Sequence, residues 1–467
     1  MLCIIGPALL IGWEHVKSFR IRKIFNFQRE LKQMRKSRKK PKPVRQAEPP
    51  KGTFIGLDGR RGVWIPDNAK HVFVCGTTGS GKTVALSNFI KNAVDNDLPA
   101  LIIDGKGDMG TGSLLDIVQR LNQGKKKVYV INLSEPEQSD KYNPFLGASS
   151  AMATDMLINM TDWSEEHYKL NAERYIQRIL QLLELAQVQL SFGRIIACMK
   201  PTKFTDMSNY LLKKELISKE EHLDNLELLK TSGKVAQSSV ARFSTIAESQ
   251  AGKILSDTGI SIAQALKENA IILFILNPML YPELSPAFGR LALIDSKIAI
   301  GELYRNRVPR TFFILDEISS YATTALTDLV NKSRSANVTC VLATQSLSDL
   351  DFAVNEAYKE QIIENCNNYI VMRQNSGVNA EYWANIIGTR STLETTHQLQ
   401  QTGLITAETG FGSVRRVREY LYHPDDIKVL QTGKGIFLSR DTNTHCRVNI
   451  YKPFSERSES CQNHSRT

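Results

Sequence analysis

The sequence predicts an α/β fold with a mostly parallel central sheet and an inserted all-α domain, and three observations carry that prediction. A buried-strand run, Val72-Phe73-Val74-Cys75, leads into the glycine loop Gly76-Thr77-Thr78-Gly79-Ser80-Gly81-Lys82-Thr83 and then into Val84–Ile90, with apolar residues at helical spacing. Short apolar runs then recur, alternating with helical patterns, as a parallel sheet with helices on both faces requires. Between 151 and 247 that rhythm stops and only helical patterns remain.

In chain order, residues 1–13 are uncharged and strongly apolar, and 14–51 hold 14 Lys/Arg against 3 Asp/Glu. That net of +11 equals the charge of the whole chain, so residues 52–467 are neutral and the basic balance says nothing about the body. Thirteen residues span about 20 Å as a helix, short of the ~30 Å of a bilayer core. An apolar run, Trp13 and a following Lys/Arg excess fit the cytoplasmic end of a longer membrane anchor under the positive-inside rule. A surface-lying anchor and a solvated basic tail are the alternatives.

The folded body should begin near Gly52, with a hairpin of Thr53–Leu57 and Gly62–Pro66. Ala100–Asp104 and Lys127–Asn132 read as the next strands, separated by the loop Gly105-Lys106-Gly107-Asp108 and a helix over Ser113–Leu121. Helices are expected over Glu165–Leu190, Ser208–Leu212, Lys219–Lys230 and Val235–Ile246, with Leu and Ile stripes forming a core of their own. Strands resume at Ala270–Leu276, Arg310–Leu315, Val338–Ala343 and Tyr369–Arg373. The tail from 391 reads as Thr/Gln-rich loop with short strands, and 456–467 as disordered. The domains are therefore 52–150 with 248–455, interrupted by 151–247.

Three stretches carry chemistry. In Gly76–Thr83 the glycines let backbone N–H groups turn around an anion at a helix N-terminus, Lys82 would reach the β- and γ-phosphates, and Thr83 would ligate Mg²⁺. Thr311–Leu315 ends on Asp316-Glu317, a Walker B pattern in which Asp316 would hold the Mg²⁺ shell and Glu317 would orient the attacking water. ATP and Mg²⁺ are the cofactors this implies. Strands between the two motifs and the adjacent Glu317 point to a RecA-like P-loop ATPase. Gln345, at the end of Val338–Ala343, would sense the γ-phosphate or merely close a turn, and Arg334 alone reads as a solvated cation. Seven scattered cysteines without a CxxC pair and eight unclustered histidines offer no metal-ligand spacing.

With Gly76–Thr83, the chain shares Ile103-Asp104-Gly105-Lys106-Gly107, Lys141-Tyr142-Asn143-Pro144-Phe145, Phe313–Glu317 and Ala343-Thr344-Gln345-Ser346 with one family. It resembles the TraD/TraG coupling proteins of type IV secretion, kin to the FtsK and HerA DNA pumps, over about residues 52–450. The resemblance implies a RecA-like motor with an all-helical domain, assembling as a hexamer on the cytoplasmic face of the bacterial inner membrane. Relaxase, secretion-channel components and non-specifically held DNA would be its partners. It assigns Gln345 to the sensor and Arg334 to a finger reaching the neighbouring subunit's nucleotide, with Arg390 and Arg415, Arg416 and Arg418 as competitors. The family's two membrane spans are not matched by 1–13.

DNA contact has no motif here. Stretches near Lys234–Arg242 and Gly377–Arg390, read as loops, are candidates, although a surface helix face explains them equally well. A soluble HerA-like translocase, and a docking platform using ATP only as a structural ligand, are the other readings.

Overall fold

The computed structural model describes residues 51–454, apart from 69–70, 164, 307–308 and 403–404. The apolar run 1–13, the basic stretch up to residue 50 and the tail 456–467 lie outside the described residues. Among the described residues no helix is long and apolar enough to cross a membrane.

The chain opens with an antiparallel hairpin of β1 (Gly52–Asp58) and β2 (Arg61–Pro66). Seven strands then build the parallel part of the sheet. They are β3 (His71–Cys75), β4 (Ala100–Asp104), β5 (Val128–Asn132), β6 (Ile271–Ile275), β7 (Thr311–Asp316), β8 (Val338–Thr344) and β9 (Cys366–Val371). After β10 (Thr389–Thr402) and β11 (Ile405–Tyr420), which pair only with each other, the chain returns through β12 (Lys434–Ser439) and β13 (Thr444–Ile450). The order across the main sheet is β2-β1-β13-β12-β9-β3-β8-β7-β4-β6-β5. The expected mostly parallel α/β fold is the fold observed, with an antiparallel wing of four strands at one edge.

The central strands are apolar without alternation because both faces are covered. Successive side chains of a strand point to opposite faces. Val72, Val74, Ile102 and Ile314 therefore join one core with Ala85, Phe89 and Ile90 of the helix Lys82–Asp95. Phe73, Leu101, Ile103 and Leu315 join the other, which runs on into the helices Ser150–Asn159, Glu166–Leu185 and Leu284–Asn306. The apolar stripes of the helical region thus continue the core of one sheet face instead of closing on themselves. A fully buried Phe contributes about 1.5–3 kcal/mol, so both faces matter to stability.

The helical region comprises Ser150–Asn159, Glu166–Leu185, Phe192–Met199, Pro201–Lys213 and Lys219–Glu248. The two short helices expected over 219–246 are one continuous helix. Ser218 and Glu221 form a capping box at its start, and the Ser232-Gly233 pair costs only about 1 kcal/mol inside it. Tyr142-Asn143-Pro144 is the seam between sheet and helices. Tyr142 N–H donates to Ile254 O (2.9 Å) and Asn143 N–H to Ile260 O (3.0 Å). The buried Tyr142 hydroxyl donates to Asp295 Oδ2 (2.8 Å), and the Asn143 amide to Leu190 O (3.1 Å).

The Thr/Gln-rich stretch after 391, expected to be loop, is a long two-stranded ribbon from Thr389 to Tyr420. Its threonines and valines favour the extended backbone once a partner strand lies alongside, and the polar composition hid that.

Candidate functional site

Because β3 lies between β8 and β9, the ends of three strands meet at the glycine loop. Gly76 N–H donates to Thr344 O at the end of β8 (3.3 Å), and Thr77 N–H to Arg373 O just past β9 (2.9 Å). From the antiparallel wing, Gly433 N–H donates to Ser80 O (2.9 Å) and the Thr432 hydroxyl to Gly79 O (3.0 Å). The loop is thus held on both flanks. Gly79 and Gly81 stand at φ +72° and +107°, a left-handed backbone that side chains disfavour. Among the described residues the amides of Gly79, Gly81, Lys82 and Thr83 donate to no protein acceptor, and the buried Thr77 Oγ1 has no partner. Converging amides at a helix N-terminus form an anion cradle.

Lys82 is buried, and its ammonium donates back to Gly76 O at 2.5 Å. Burial lowers its pKa first and Lys106 adds to that, against Glu317 and Asp316, which raise it. Thr83 is half-buried one residue on.

Asp316 closes β7, one strand beyond β8, and pairs in register with Asp104 at the end of β4. Burial pushes the Asp316 carboxyl up, while Lys106, 3.6 Å away, pulls it down. Burial, reinforced by Asp316, pushes Asp104 up to about 7. Glu317 takes a left-handed backbone, φ 50° and ψ 54°, unusual for a residue with a side chain. That conformation turns its carboxylate towards the end of β8, where the Gln345 side-chain amide donates to Oε2 at 2.7 Å. Gln345 N–H (3.4 Å) and the Ser319 hydroxyl (3.1 Å) donate to Oε1. On its other side Gln345 accepts from the Thr78 hydroxyl at 2.6 Å. An unbroken hydrogen-bonded chain, Thr78–Gln345–Glu317, therefore joins the anion cradle to the acid.

The structure thus brings together Gly76–Thr83, Asp316, Glu317 and Gln345. It does not bring Arg334 to them. Arg334 is exposed in a turn before β8, at the end of that strand opposite Gln345. Seven extended residues put it about 20 Å from its own glycine loop. Arg390 and Arg415 lie on the ribbon, ion-paired to Glu419 (3.2 Å) and Glu394 (3.9 Å). The stretch 234–242 is no loop but part of the helix Lys219–Glu248, and Arg242 is held by Thr161 and Asp162 over the Trp163 ring. The stretch 377–390 is the helix Gly377–Ile387, then Gly388 and the start of β10.

Sequence reasoning missed Arg373 and gave Lys106 no role. Arg373 backs the loop through its carbonyl, and its buried Nε has no partner. A cation directly after an apolar strand was the available signal for Arg373, and a lysine between two glycines the signal for Lys106.

Comparison with known proteins places the chain among several relatives. Residues 67–277 match the central domain of helicase HerA, and residues 310–432 match the TraM recognition site of TraD and TraG. The type 4 coupling protein DotL of Legionella pneumophila is 27% identical over 150 residues, covering 28% of this chain and 19% of DotL. This chain therefore spans only about a fifth of that relative. An uncharacterized protein of Mycoplasma pneumoniae is 27% identical over 147 residues, covering 32% of this chain and 93% of that protein. Among solved structures, the bacterial conjugative coupling protein TrwBdeltaN70 superposes with a TM-score of 0.61 at 16% identity, covering 86% of this chain and 89% of that truncated chain. VirB4 of Thermoanaerobacter pseudethanolicus superposes with a TM-score of 0.54 at 12% identity, covering 87% and 98% of the two chains. The resemblance to TraD/TraG coupling proteins read from the motifs is borne out, as is the P-loop fold.

Proposed function

We propose that this chain, which joins a HerA-type central domain to a segment of the TraD and TraG type, is an ATP-hydrolysing motor that delivers DNA, alone or as a nucleoprotein, to a type IV secretion channel. The single observation that carries the hydrolytic part is the Thr78–Gln345–Glu317 chain. A structural nucleotide site has no use for an acid held in a strained backbone and wired to the phosphate loop. TrwB is known in complex with ADP and Mg²⁺ and with an ATP analogue, which supports the same ligands here.

The residues present fit a magnesium nucleotide. The loop offers amides without acceptors and the orphaned Thr77 Oγ1, and Asp316 and Thr83 are hard oxygen donors suited to Mg²⁺. Asp316 and Thr83 would hold the metal, which supplies charge neutralisation on the phosphates. Lys82 exchanges Gly76 O for the β- and γ-phosphates. Glu317 accepts a hydrogen bond from the attacking water and sets its line of approach. Gln345 fixes the Glu317 carboxylate and reports through Thr78 whether the cradle is filled. Phosphoryl transfer is mostly positioning and charge stabilisation, and one subunit supplies these parts of it. Arg334 cannot reach its own site, so its role as a finger requires a neighbouring subunit, in keeping with a hexamer.

The remaining parts of the reading are an inner-membrane location, relaxase and channel partners, and non-specific DNA contact. The TraD/TraG match and the motif resemblance support them. ATPase rates measured with and without single- and double-stranded DNA, at several protein and salt concentrations, test the motor. DNA stimulation that rises steeply with protein concentration is expected, with none in Lys82→Ala. Turnover unchanged by Lys82→Ala would sink the assignment. Turnover indifferent to DNA would favour a docking platform.

A further inference from the structure

The loop Gly105-Lys106-Gly107 has no part in the function above, yet it is built tightly against the strand end carrying Asp316 and Glu317. Gly105 N–H donates to Asp316 O at 3.2 Å. A Cβ on Gly105 would stand 2.6 Å from Ser320 Oγ, 2.8 Å from Asp316 O and 2.9 Å from Glu317 O. Asp104 Oδ1 accepts from the backbone amides of Lys106 (3.0 Å) and Gly107 (3.2 Å), which pins the turn from the other side. Two backbone anchors and a glycine without room for a side chain hold the Lys106 backbone against this strand end.

That side chain rests on the metal-side acid. Lys106 Nζ is 3.6 Å from Asp316 Oδ2, with the lysine side chain 25% and the aspartate 2% exposed. The other nearby ammonium, Lys82, donates to Gly76 O. Asp104 and Asp316 end adjacent strands in register, so Lys106 is the cation set against a pair of neighbouring buried carboxylates. Such a pair attracts a divalent cation strongly when no other positive charge compensates it.

We propose that Lys106 is a positioning residue that occupies the Asp316 carboxylate in the nucleotide-free protein and excludes a divalent cation until nucleotide phosphates draw the ammonium away. Metal then enters with nucleotide and not before it. The inference rests on the reading of Asp316 as the metal-side carboxylate.

Titrating nucleotide-free protein with Mn²⁺ and following free Mn²⁺ by electron paramagnetic resonance tests it without any turnover. Lys106→Met should tighten Mn²⁺ binding by about tenfold or more, because the ion no longer displaces an ammonium. Lys106→Arg should stay within about threefold of wild type, since it keeps the charge. Lys106→Met combined with Asp316→Asn should lose the tightened site. Unchanged or weaker Mn²⁺ binding in Lys106→Met, with wild-type thermal unfolding, overturns the proposal. Lys106→Gln serves the same comparison if Lys106→Met does not fold. Tightened binding that survives Asp316→Asn would overturn the underlying placement of the metal instead.

Discussion

Replacing Gln345 by alanine should slow turnover by roughly 10- to 100-fold while leaving nucleotide affinity within about threefold of wild type. The Gln345 side chain donates one hydrogen bond to the Glu317 carboxylate, at 2.7 Å. A hydrogen bond to a charged group is worth about 1.5–3 kcal/mol, and about 1.4 kcal/mol of barrier is tenfold in rate. The loss stops short of abolition because the Ser319 hydroxyl (3.1 Å) and the Gln345 backbone amide (3.4 Å) still hold the other carboxylate oxygen. Affinity is spared because the loop amides and Lys82 are untouched, and only the Thr78 contact goes. Steady-state hydrolysis gives kcat, and titration with a fluorescent nucleotide gives Kd. A kcat within about twofold of wild type would refute the reasoning, as would a Kd that weakens in step with kcat.

Glu317→Gln should keep ATP bound while stopping hydrolysis, and a normal rate would move the water-orienting role elsewhere. Mixing Arg334→Ala subunits with Lys82→Ala subunits should restore part of the activity at mixed interfaces. No rescue would leave Arg334 a structural residue, since it lies about 20 Å from its own loop. Asp295 gives a test of stability against pH. Burial raises its carboxyl to about 7, against the hydrogen bonds from Tyr142 and Ile262 N–H, which lower it. A raised carboxyl means the folded state binds more protons than the unfolded one between about pH 4 and 7. This group's contribution to stability therefore falls as pH rises through that window and is flat above it. Asp295→Asn lacks that loss, so its advantage in Tm over wild type should grow from pH 4 to 7, by up to about 4 kcal/mol in stability. A difference independent of pH would place the Asp295 carboxyl in its ordinary range.

What local sequence determined here is every part whose signal is contiguous. Gly76–Thr83 declares its backbone shape by glycine spacing and its charge by Lys82. The strands β3, β4, β6, β7 and β8 declare themselves because strands buried on both faces must be apolar throughout, and Asp316-Glu317 stands out as charge at the end of such a run. The ribbon of β10 and β11 was illegible because threonine and glutamine look like loop until a partner strand satisfies the backbone. The long helix Lys219–Glu248 reads as two in the sequence because of a Gly whose cost its capping box and packing outweigh.

Tertiary structure alone decided which strand ends meet. The order β9-β3-β8-β7-β4 gathers Arg373, the glycine loop, Gln345, Asp316 and Asp104 from stretches far apart in the chain. No local pattern encodes a neighbour across a parallel sheet, because the crossover helices hide the pairing from the linear chain. The same topology separated Arg334 from Gln345 by the full length of β8, although only ten residues of chain lie between them. Sequence supplied the groups, and the sheet order settled which of them share a site.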